Sequence, residues 1–141
     1  MMNELIINGK DAYEKWGASM GDGFLSTIEA PCPMKSYVEN SSRLNNGKKM
    51  ITSTARVDSR EMNLTFYIRG KDEKDYTAKK NAFVAELYRG AISLQVPSRG
   101  EDVYKLVYLG KNISYGLNRS RSFSKLTVRF CEPNPTDRTI V

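Results

Sequence analysis

The sequence predicts an α+β, mainly β fold: an antiparallel β-sandwich or partly open barrel of about seven strands, with one flanking α-helix over residues 72–89 or so. Three observations carry this. The segment Asp72–Gly90 is apolar at helical spacing, the chain on either side alternates with period two, and Gly, Pro and Asn turn signals punctuate that alternation. A single helix cannot bury its apolar stripe alone, so it must lie on the sheet.

In the helical segment Tyr76, Phe83, Val84, Leu87 and Tyr88 share one face, while Lys74, Lys79, Lys80, Asn81 and Glu86 turn outward. Asp72 is placed to accept from the free amides of the first turn, Asp75 adds favourable charge there, and Gly90 supplies a left-handed stop.

The strands follow in order. Leu5–Ile7 opens the chain and ends at the Asn8-Gly9 turn. Residues 11–23, with Trp16 and glycines at 17, 21 and 23, read as a loop; Phe24–Glu29 reads as a second strand. Pro31 and Pro33 interrupt pairing, and Met34–Glu39 is a strand beyond them. Asn40–Lys49 is a polar stretch of ten residues, longer than a typical hairpin connection. Within Arg56–Arg69, Met62, Leu64, Phe66 and Ile68 face one side, with Asn63, Thr65, Tyr67 and Arg69 opposite. After the helix, Ile92, Leu94 and Val96 continue the pattern, Pro97–Asp102 turns, and Val103–Leu109 is a central strand. Ile113, Tyr115 and Leu117 are expected to point inward from the next strand, as are Leu126, Val128 and Phe130 from the last.

At 141 residues the chain holds one domain, expected to span 1–135 with a short tail over 136–141. No run approaches the roughly 20 apolar residues of a membrane span, and the N-terminus lacks the regions of a signal peptide, so a cytoplasmic product is expected. Histidine is absent, and Cys32 and Cys131 stand nearly one hundred residues apart. The commonest general base and the commonest zinc ligand are thus missing. The pairs Asp58/Glu61 and Glu101/Asp102 read as solvated acids. No catalytic, metal or cofactor residues are expected, and the protein is not read as an enzyme.

The net charge of +6 is uneven: residues 1–30 carry 2 basic and 5 acidic groups, residues 89–131 carry 8 and 2. Arg119, Arg121, Lys125 and Arg129 occupy odd positions, with Phe123 and Thr127 between them, and would share one face of an extended strand. One reading is a solvated face that pairs with acids on this chain or on a neighbouring copy, which suits a head-to-tail ring. The other is the charge-plus-stacking surface of a single-stranded nucleic-acid-binding module.

The order of segments carries a resemblance. Ile7-Asn8-Gly9-Lys10-Asp11 precedes a Trp/Gly loop, followed by the Glu39–Gly47 connection and the strand Leu64–Ile68. The helix then ends in Leu87–Gly90, Tyr104–Tyr108 comes next, and Val128–Pro135 closes the pattern. This resembles the N-terminal domain of siphophage distal tail proteins and the related tail-tube domains of phages and prophages, over nearly the whole chain. The resemblance implies a virion structural protein without catalysis or cofactor, assembled as a homohexameric ring around a channel. It implies other phage tail proteins as partners, assembly in the bacterial cytoplasm and a final place in the virion tail. Nucleic acid would enter only as DNA passing the channel. The surfaces expected to meet a neighbouring copy are the 40–49 connection (Asn40, Arg43, Asn46, Lys48), the outward side of the alternating strand (Tyr67, Arg69) and the basic run (Arg121, Lys125, Arg129).

Overall fold

The alternation of Met62, Leu64, Phe66 and Ile68 builds the spine of the molecule. All four are buried on β6 (Arg60–Arg69), while Glu61, Asn63 and Arg69 stand exposed on its other face. A computed structural model describes residues 4–35, 38–41, 47–51 and 55–139, without the side chains of 38–41 and 48–51. Along its whole length β6 pairs antiparallel with β10 (Phe123–Glu132), from Arg69 opposite Phe123 to Arg60 opposite Glu132. Leu126, Val128 and Phe130 therefore join the same core.

The remaining strands of this sheet are β1 (Ile6–Ile7), β2 (Lys10–Asp11), β3 (Ala18–Met20), β7 (Ala91–Gln95), β8 (Val103–Tyr108) and β9 (Ser114–Leu117). The eight strands form an antiparallel half-barrel in the order β2–β1–β7–β8–β10–β6–β3, with β9 pairing β10 on the side that β8 occupies further along. The fold is thus the mainly β, partly open barrel the sequence predicts. Asn8 and Gly9 both take left-handed conformations (φ 53° and 78°), which is what a two-residue hairpin between β1 and β2 requires.

The predicted helix is α3 (Glu73–Leu87), capped by the Asp72 carboxylate, which accepts from the Asp75 amide at 2.8 Å. Tyr76, Phe83 and Leu87 are buried against the sheet. The Phe83 ring lies 5.2 Å from Phe66 and 5.9 Å from Trp16, and Phe66 meets Phe24 and Phe130 in turn. Two expectations on this helix are corrected. Glu86 is buried rather than outward, because the Asn8 amide and the Arg89 guanidinium both donate to its carboxylate. Tyr88 is 72% exposed, because it caps the helix instead of continuing its apolar face.

Two shorter helices replace a loop and a strand. α1 (Ala12–Trp16) begins where the Asp11 carboxylate accepts from the Tyr13 and Glu14 amides, and ends at Gly17. The rest of the expected loop contains β3. α2 (Phe24–Glu29) occupies the stretch expected to be a strand: Phe24 and Ile28, four apart, both face the core. Its last carbonyls, those of Thr27, Ile28 and Ala30, accept from the Arg60 guanidinium, a cap supplied from β6. Before the spine strand, β4 (Val38–Ser41) and β5 (Lys48–Ile51) form a separate two-stranded hairpin, so both flanks of the expected 40–49 loop are paired. Within the expected strand 34–39, Met34 makes only an isolated bridge, to Val57, because Pro33 cannot donate to a ladder.

Gly17 fixes how α1 meets the sheet. Its φ is +65°, its carbonyl accepts from the Arg69 amide, and a Cβ there would lie 2.1 Å from the Arg69 carbonyl oxygen. Gly17→Ala combines left-handed strain with a backbone clash, and is expected to destabilise by more than about 1 kcal/mol. Thermal unfolding checks this; an unchanged midpoint would mean that α1 and β3 shift without penalty.

The chain after β10 folds back. Pro135 is buried, the Arg138 carbonyl accepts from the Val103 amide at 3.0 Å, and Lys105 Nζ meets Asp137 at 2.8 Å. Arg138 also donates to Glu132 and lies over the Tyr104 ring. Glu132, fully buried, accepts from Arg60 as well, so one carboxylate ties two guanidinium groups together at the end of the spine ladder where β6 begins and β10 stops.

Candidate subunit-interface surfaces

At one end of the half-barrel the sheet reads β9–β10–β6–β3, four strands whose outer edges pair with no other strand among the described residues. The β9 edge carries no charge and no proline from Ile113 to Leu117. By register Tyr115 lies opposite Leu126 and Leu117 opposite Ser124, so both point toward the core side as expected. They are nonetheless exposed, at 44% each, with Ile113 at 54%, which corrects the expectation that they are core residues. The reason is that β9 is an edge: no further strand covers it, and α3 reaches only its near side. There the Tyr76 and Tyr115 hydroxyls meet at 2.6 Å, and Lys80 lies over the Tyr115 ring. Burial pushes the Tyr76 phenol up to about 12. Edges lacking charge, proline or bulge are the ones that pair with another chain. β3, at the opposite side, is short and is followed by the exposed Asp22.

The outer face of the β6–β10 ladder holds four of the sequence-predicted residues together: Tyr67, Arg69, Lys125 and Arg129. Phe123 lies 5.4 Å from the Tyr67 ring, with the Arg69 guanidinium 4.6 Å over it. Lys125 pairs with Asp22 at 3.6 Å, and Arg129 pairs with Glu61 at 2.9 Å while also donating to Asn63. The Arg129 hydrogen bond holds the Glu61 carboxyl below the usual range, and the hydrogen bond to Asp22 holds the Tyr67 phenol above its own. Thr65 and Thr127 bond hydroxyl to hydroxyl between these pairs.

Arg119 and Arg121 do not share this face. The strand begins at Phe123, and the residues before it form a turn in which Arg121 takes φ 58° and Asn118 Oδ1 accepts from the Ser122 and Phe123 amides. Arg121 instead sits at the tip of the β9–β10 hairpin, 3.8 Å from Glu73. Asn40 and Lys48 lie on the paired strands β4 and β5, whereas Arg43 and Asn46 fall outside the described residues. Sequence reading missed Asp22 and Glu61 as partners of the basic run. Glu61 had a signal, since it shares the parity of Asn63, Thr65 and Tyr67; Asp22 had none.

Among the described residues no group of three His, Cys, Asp or Glu side chains is arranged to hold a metal ion, and no helix is long and apolar enough to cross a membrane.

No protein-family model matches this chain, and no curated protein does. Among solved structures it matches the crystal structure of the SPP1 Dit (gp 19.1) protein, described as a paradigm of the hub adsorption apparatus in Gram-positive infecting phages. The TM-score is 0.59 at 14% sequence identity, over 94% of this chain and 50% of that one. The chain thus spans about half the length of the solved protein it matches. Its fold is that of a siphophage distal tail protein, over that shared half.

Proposed function

We propose that this protein is a structural, non-catalytic component of a phage or prophage tail that closes into a homohexameric ring at the distal tail or tail tube. The observation that carries the reading is the pair of free edges on the β9–β10–β6–β3 sheet. A head-to-tail ring needs two different surfaces on one subunit, each fitting the other, and strand addition between unlike edges supplies them. The match to a distal tail hub protein supports the same role. In this reading Arg121 lies at the β9 edge, Tyr67 and Arg69 lie beside β3, and Lys125 and Arg129 stand on the wall between them. Asn40, Arg43, Asn46 and Lys48 are read as meeting a neighbouring copy, since β4 and β5 form a two-stranded sheet apart from the main one and such a pair is marginal without further packing. Assembly would take place in the bacterial cytoplasm with other tail proteins, and the ring would end in the virion tail around a channel that passes DNA. A single-stranded nucleic-acid module is the weaker reading, since Lys125, Arg129 and Arg69 are each engaged by a side chain of their own subunit.

The edge can be tested directly. Ile113→Lys combined with Leu117→Lys places the edge-protecting charges that β9 lacks at two exposed positions. The variant is expected to stay folded by circular dichroism and to lose the sixfold mass of the parent protein in light scattering. An unchanged sixfold particle would rule the β9 edge out of the ring, and a monomeric parent would count against the ring itself.

A further inference from the structure

The outer face of the β6–β10 ladder has the side chains of a phosphate-binding surface and the contacts of one that is closed. Three cations, Arg69, Lys125 and Arg129, stand on one face of the ladder beside Tyr67 and Phe123. We propose that Asp22 and Glu61 mask this face, so that it holds no nucleic-acid backbone while both carboxylates are in place.

The two acids come from different places and take different cations. Glu61 lies on β6 and takes the Nε side of Arg129, whose Nη1 is directed to Asn63. Asp22 comes from the turn after β3 and takes Lys125 from the other side of the ladder. The third cation, Arg69, is stacked on Phe123. Lys125 and Asp22 are 52% and 79% exposed, Arg129 and Glu61 28% and 51%. Exposed pairs of this kind contribute little to stability. Their main consequence is the field over the face: with both acids ionised, two of the three positive charges are cancelled within a few ångströms, and a phosphate approaching Lys125 or Arg129 meets a carboxylate in competition. Binding of a polyanion depends on cations free to replace its counterions, and this face offers few. The inference rests on the ring reading only for its use, a wall that does not retain nucleic acid moving along it.

The test is Asp22→Asn combined with Glu61→Gln, titrated with a short labelled DNA duplex across a salt series. The parent is expected to show no binding at physiological salt. At low salt, where weak binding by the parent can be measured, the variant is expected to gain at least about tenfold in affinity, with log affinity falling against log salt by roughly two units more steeply than in the parent, one for each cation released. Adding Lys125→Ala and Arg129→Ala to the variant should abolish the gain, which also separates an unmasked face from a misfolded one. Glu101→Gln with Asp102→Asn, at the exposed turn between β7 and β8, makes the same change in net charge away from the ladder. An equal gain in that control, a gain that survives loss of Lys125 and Arg129, or tight binding by the parent would overturn the proposal. Light scattering on the same samples reports the ring separately, so failure of either reading is visible without the other.

Discussion

Replacing Phe83 by alanine is expected to destabilise the protein by about 3–5 kcal/mol, the usual effect of deleting a large aromatic from a packed core. Phe83 is fully buried and connects α3 to both other layers, touching Trp16 on α1 and Phe66 on the sheet. The ring contacts are tilted or edge-on, the geometries that aromatic pairs prefer, so the loss includes oriented contacts as well as buried area. Urea denaturation followed by tryptophan fluorescence suits the test, because Trp16, the only tryptophan, is one of the partners. A change below about 1 kcal/mol would mean that α3 does not pack as described.

A second large effect is expected at Glu132. Its carboxylate is fully buried and accepts from Arg60 and Arg138, whose side chains are 7% and 23% exposed. Glu132→Ala leaves the buried Arg60 guanidinium without its counter-charge, and a loss of about 3–5 kcal/mol is the usual result of breaking a buried pair from one side. Arg60 also caps α2, so the damage should spread to that helix. The informative companion is Glu132→Leu with Arg60→Met. Removing both charges abolishes the desolvation penalty along with the attraction, so the double variant should be more stable than Glu132→Ala alone. If the double variant is the less stable of the two, the main role of Arg60 is the α2 cap, not its pairing with Glu132.

The parts of this fold that could be read from the sequence are those decided by near neighbours. The period-two run of β6, the helical stripe of α3 with its Asp72 cap and the Asn8-Gly9 hairpin each depend on residues within a few positions. Phe24–Glu29 was ambiguous on those terms: a short apolar segment with Thr27 and Ile28 suits a strand, and Arg60, thirty residues away, settles the matter by capping a helix. For Ile113, Tyr115 and Leu117, alternation gave the side but not the cover, since exposure depends on whether another strand follows in the sheet. The same division runs through the candidate interface. Parity placed Glu61, Tyr67 and Arg69 on one side of their strand and Lys125 and Arg129 on one side of theirs, but only the β6–β10 register brings the two sets together, and Asp22 reaches them from the turn after β3. Arg119 and Arg121 missed that face because a left-handed turn precedes the strand.

The long ladder between β6 and β10 also sets how this protein must come into being. Its residues are far apart along the chain, Arg60 and Glu132 by 72 positions. Helix α3 and the β1–β2 and β7–β8 hairpins can form from nearby residues, but β6 gains its main partner only once the chain through β10 has been synthesised. Pairing at such separation is slow, because the intervening chain must be closed into a loop before any contact rewards it. During that interval the apolar row from Met62 to Ile68 lies open to strands of other copies. A nascent chain is therefore most prone to aggregate just before β10 emerges, when its longest apolar strand still lacks its main partner.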